Sequence, residues 1–115
     1  MLRRLINRFR RTPEAQRLDA ERDQAVIVWI RTVPSEERLA CFLADLPRPD
    51  ARAVEQSARQ LRRAFDQLIE RGPPNVALDA YLDSIEPKLR ARFPWMSTEA
   101  FGCLSSYAHW MNWHG

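Results

Sequence analysis

Apolar side chains recur at three- and four-residue intervals along almost all of this sequence, and prolines cut that rhythm into separate lengths. Such a period predicts amphipathic helices packed around a shared core. No stretch alternates apolar and polar residues as a half-buried strand would. The only glycines are Gly72, Gly102 and Gly115, too few for a turn-dense β fold or a Gly-rich phosphate loop. A chain of 115 residues fits one domain, which should bury roughly 65% of its extended-chain surface without staples. Cys41 and Cys103 are the only cysteines, so a disulfide scaffold is excluded.

The punctuation divides the chain into a basic amphipathic helix over residues 1–12 and a single helical domain over residues 13–115. In the first, Leu2, Leu5, Ile6 and Phe9 form one apolar stripe at i, i+3, i+4 and i+7. Thr12-Pro13-Glu14 then reads as a cap, a proline at N1 and an acid in the first turn of a helix running to about Thr32. Its end, Ala25 to Ile30, is apolar all round; four β-branched residues there leave a short buried strand as the alternative. Pro34-Ser35-Glu36 opens a helix ending near Asp45. Asp50 is expected to cap the next, over about 51–71, after the Pro47–Pro49 break, and Gly72-Pro73-Pro74 stops it. Asn75 is expected to cap a fifth helix that Pro87 kinks or restarts, and Ser97 or Thr98 caps the last. The expected fold is all-α: an irregular, orthogonal bundle of five to six helices joined by short proline-marked loops.

Charge is unevenly distributed. Residues 1–12 hold Arg3, Arg4, Arg8, Arg10 and Arg11 and no acid; removing these five from 18 basic side chains leaves 13 against 15 acidic ones, about −2 for the rest. A slightly acidic body has no electrostatic footprint for wrapping nucleic acid. The longest apolar run, Ala25 to Ile30, falls far short of the ~20 residues that cross a bilayer, and no apolar signal region follows the basic start. The cytoplasm is the expected compartment.

Residues that carry chemistry elsewhere are sparse. His109 and His114 have a spacing seen in zinc sites, but no cysteine pair matches them and five residues along a helix turn them about 140° apart. Cys103 with His109 has no visible orienting group or oxyanion donor, so both cysteines are read as small core residues. Asp79, Asp83 and Glu86 form an acidic ridge, and Arg52, Arg59 and Arg63 a basic row; both read as solvated faces, with Glu55–Arg59 and Arg62–Asp66 as surface ion pairs. No catalytic residue, metal site or cofactor is assigned.

Two segments remain for binding. The leader's stripe under Arg3, Arg4, Arg8, Arg10 and Arg11 suits docking on its own domain, in a partner's groove, on a membrane surface or on nucleic acid. The C-terminal segment concentrates Trp95, Phe101, Tyr107, Trp110 and Trp113. One face of its helix fills the core. The other, with Tyr107 and Trp110, is either buried centrally, the favoured reading for so large a side chain, or a second interface whose tryptophans would be hot spots. The expectation is a non-enzymatic helical protein–protein interaction module of bacterial type (adaptor, regulator or inhibitor) contacting its partner through Tyr107, Trp110 and Trp113 or through the basic leader. Peripheral membrane or nucleic-acid binding through residues 1–12 is the alternative, and self-association is conceivable.

Overall fold

The computed structural model describes residues 12–31, 33–73 and 75–114, the side chains of Trp113 and His114 excepted. The leader, with its five arginines, lies outside the described residues. Among those described there are five helices and no strand: α1 (Pro13–Ile30), α2 (Glu36–Ala44), α3 (Arg48–Glu70), α4 (Leu78–Arg92) and α5 (Thr98–His114). The apolar run Ala25 to Ile30 is therefore helix, and its β-branched residues are accommodated by burial: Val26, Ile27 and Ile30 are buried and Val28 is half-buried.

α1 starts as its sequence dictates, with the Thr12 hydroxyl accepting from the Ala15 N–H at 3.1 Å and proline in the first turn. It ends sooner than the pattern suggested, because the chain leaves the helix at Arg31 with φ 21°, outside the helical region. Arg38 secures this exit. Its guanidinium donates to the carbonyls of Val28 at 2.9 Å, Trp29 at 3.3 Å and Val33, while the Ser35 N–H donates to the Trp29 carbonyl at 2.9 Å. Carbonyls orphaned at the end of α1 are thus satisfied by a charged side chain from α2.

Two further boundaries differ from expectation. α3 begins at Arg48 rather than after Asp50, with Pro47 in the capping position. A proline in the first turn loses no helical hydrogen bond, so Pro-Arg-Pro enters the helix instead of breaking it. Asp50, now in the first turn, accepts from Arg17 of α1 at 3.1 Å instead of capping. Asn75 does not cap α4, which starts three residues later after Ala77. The register there is set by Tyr81, whose hydroxyl donates to the Leu68 carbonyl and whose ring fills the space at Gly72, where a Cβ would lie 2.9 Å from Cε1. α4, expected to kink or restart at Pro87, runs through it without a restart. Leu82, Ile85 and Leu89 are buried on both sides of the proline, and about 1.5–3 kcal/mol for each such side chain outweighs one lost hydrogen bond and its clash.

The pairings Arg17–Asp50, Arg22–Ser57 and Trp29–Arg62 advance together, so α1 and α3 run in the same direction. α5 packs on both. The Asp23 carboxylate of α1 accepts from the Ser97 N–H at 2.7 Å, and the Ser97 hydroxyl caps α5 by accepting from the Ala100 N–H at 3.0 Å. Phe65 of α3 meets Phe101 of α5 edge-on at 6.3 Å, at the centre of a core completed by Leu39, Leu61, Ile85 and Leu104. No described helix is long and apolar enough to cross a membrane.

If Arg38 closes α1 as described, Arg38→Ala takes the side-chain donor from the Val28 and Val33 carbonyls and leaves Trp29 only the Ser35 N–H, lowering unfolding stability by about 2 kcal/mol, and Arg38→Lys recovers less than half of that. Urea denaturation followed by circular dichroism measures both; a loss below 0.5 kcal/mol, an approximate floor for an unimportant surface change, would refute the assignment.

A candidate docking groove between α3, α4 and α5

Helical spacing on α3 places Arg59, Arg62 and Asp66 on one side, and tertiary packing brings Trp29 of α1 beneath them. Trp29 is 2% exposed, with the guanidinium carbons of Arg59 and Arg62 at 5.1 and 4.9 Å from its ring centroid. Arg59 is fully engaged: it donates to both oxygens of Glu36 at 3.0 and 2.9 Å and to Glu55 at 3.0 Å. The hydrogen bond from Arg59 holds the Glu36 carboxyl below its ordinary range, and the same contact pushes the arginine up. These arginines read as surface trim in the sequence. Here they cover a buried tryptophan.

Arg62 also reaches α5. It lies 5.4 Å from the centroid of Tyr107 and its Nη2 donates to the tyrosine hydroxyl at 3.4 Å. Tyr107 in turn stacks on Trp110, with centroids 6.3 Å apart and planes at 15°. A ladder from Trp29 through Arg62 and Tyr107 therefore ends at Trp110, which is 37% exposed. Central burial of this face is not what occurs: α5 spends Ala100, Phe101, Leu104 and Ala108 on the core, and Trp110 falls on another side of the helix. The side chain of Trp113 lies outside the described residues.

Beside Tyr107 opens a surface cavity of about 460 Å³. Phe65 and Ala108 form its floor, and Ile69, Leu78, Tyr107 and Met111 its walls. Met111 is 46% exposed. Asp66 and Glu70 bring two carboxylates to the α3 side, and Asn112 completes the lining. Burial pushes the Asp66 carboxyl above its ordinary value of 3.8, opposed by Arg62 at 3.7 Å and assisted by the charge of Glu70. On the outer side, His109 Nε2 lies 2.7 Å from Asp79 Oδ1, joining α5 to α4.

The remaining candidates are dispersed. Cys41 is exposed, contrary to the core role expected of it, because it lies two residues, about 200° around α2, from the buried Leu39. Cys103 is half-buried, and burial raises its thiol. Asp79 and Asp83 are exposed, as a solvated ridge requires, while Glu86 accepts from Arg90 at 2.7 Å. Among the described residues no three His, Cys, Asp or Glu side chains converge as a metal site needs. The groove was not legible in sequence: Phe65, Ile69, Leu78 and Met111 come from three helices, and their patterns showed only that each helix had an inward face.

No protein-family model, curated protein or solved structure is significantly similar to this chain.

Because the Asp66 pKa is raised in the folded state, the folded chain binds more protons than the unfolded one above pH 3.8, and this carboxyl's contribution to stability falls as pH rises through that window. Asp66→Asn removes the effect. The gain in melting temperature of Asp66→Asn over the parent should be larger at pH 7 than at pH 4. A difference that is equal at both pH values, or larger at pH 4, would contradict the assignment.

Proposed function

We propose that this protein is a helical interaction module that takes an apolar helical segment of a partner protein into the groove between α3, α4 and α5. One observation carries the reading: an apolar cavity of about 460 Å³ is open at the surface with Met111 and Trp110 exposed at and beside it. Large apolar side chains left on the surface around a concavity are the anatomy of a hot-spot region. Tyr107 is held by Arg62 on one side and by Trp110 on the other, so it would meet a partner with little rotamer entropy left to lose. The irregular, orthogonal arrangement of the helices belongs to the same proposal, as does the basic amphipathic helix expected over residues 1–12.

Arginine beside stacked aromatics also suits single-stranded nucleic acid. The charges favour protein instead. Glu36 and Glu55 occupy Arg59, Asp66 lies against Arg62, and Glu70 and Asp79 add further negative charge around the groove and its outer face. A phosphate backbone would meet more acids than free cations here.

Affinity capture from the source cells, followed by purification of the retained protein and titration, tests the reading. Trp110→Ala and Met111→Ala should each weaken binding roughly 30-fold, about 2 kcal/mol, while Arg52→Ala on the exposed side of α3 leaves it within twofold. Equal affinity of all four chains for the retained protein would overturn it.

A further inference from the structure

We infer that the groove between α3, α4 and α5 receives the Leu2, Leu5, Ile6 and Phe9 face of residues 1–12 from a second copy of this chain, in reciprocal exchange. The inference rests on the reading of the groove as a docking surface and names its occupant. Two observations and a general requirement on interface size support it.

The first is complementarity. The groove has an apolar floor and walls with Asp66 and Glu70 along one side. Residues 1–12 offer four apolar side chains on one helical face with Arg3, Arg4, Arg8, Arg10 and Arg11 around them and no acid. A cationic segment beside Asp66 and Glu70 would also relieve the unfavourable burial of the Asp66 carboxylate.

The second is reach. The leader joins α1 at Thr12, whereas the groove lies beyond Trp29 and Arg62, past the opposite end of α1. Thr12 and Trp29 are separated by about 25 Å of helix at ~1.5 Å per residue. Phe9 can stand no more than about 10 Å from Thr12 even with the link fully extended. A helix from Phe9 back to Leu2 adds only about 10 Å more. Docked as a helix, the stripe therefore falls short of the groove of its own chain, whereas two chains side by side in opposite directions would bring each leader to the other's groove.

The third is size. A stable dimer buries about 1,200–2,000 Å², more than one short helix in one groove supplies, and reciprocal docking doubles the contact within a closed twofold assembly.

Size-exclusion chromatography with light scattering on the full chain provides the test. The parent should show about 27 kDa, twice its 13.5 kDa, dissociating on dilution. Leu5→Asp/Ile6→Asp should raise the dimer dissociation constant at least tenfold, and so should Met111→Glu, with helical circular dichroism unchanged. Asp66→Asn/Glu70→Gln, which alters charge without shape, should weaken the dimer several-fold and guards against misfolding of the Met111 variant. Mixing the leader variant with the Met111 variant should give a mixed dimer with one of its two contacts intact, weaker than the parent dimer but tighter than either variant alone. A parent that stays monomeric up to ~1 mM overturns the inference, as does a dimer insensitive to either variant, or variants that fail to complement. A monomeric parent that still binds a separate partner in a Trp110-dependent way would end this inference and leave the interaction reading standing.

Discussion

The last two turns of α1 hold this fold together. Ala25, Val26, Trp29 and Ile30 are buried against α2, α3 and α5, so three of the four other helices take their positions from one apolar surface. A helix hydrophobic on nearly every side has no solvent face to offer and must be enclosed. Enclosure creates a problem at its C-terminal end, where carbonyls lose both water and helical partners. Arg38 and the Ser35 N–H solve it locally, which ties the start of α2 to the same turn that the core depends on.

Polar contacts at the edges then fix registers that apolar packing alone leaves loose. Asp23 holds the Ser97 N–H and so places the first turn of α5. Tyr81 against Gly72 and the Leu68 carbonyl places α4 on the end of α3. Hydrophobic contact is non-directional and tolerates sliding, whereas each of these bonds is satisfied in one register only.

Arg62 connects this interior to the surface. Its guanidinium lies against Trp29 below and Tyr107 beside it, so the orientation of Tyr107, and through stacking that of Trp110, is coupled to the burial of α1. Exposed ion pairs on the same helix contribute little to stability. The arginines matter here because their flat faces cover aromatic rings, a role that lysine fills less well.

Helix identity was written in the sequence. The 3.6-residue period, Thr12 with Pro13, Ser35 and Ser97 are local signals whose physics acts within one turn, and each appears where it was expected. Signals that lost were also local: Asp50 and Asn75 are good caps, yet Asp50 sits inside α3 and accepts from Arg17, and the docking of Tyr81 sets the start of α4; Pro87 stays within α4, where Leu82, Ile85 and Leu89 are buried on both sides of it. Tyr107 and Trp110 could be picked out as candidate contacts from aromatic clustering, but the cations beside them belong to α3, 45 positions before Tyr107 in the case of Arg62. What the sequence by itself determined was which segments coil and which side of each is apolar, because those depend on neighbours three and four residues away. Only the tertiary structure decided that Trp29 lies under arginine, that Trp110 stays at the surface and that three helices leave an apolar groove between them. Those outcomes depend on distances between residues far apart in the chain, which no local pattern encodes.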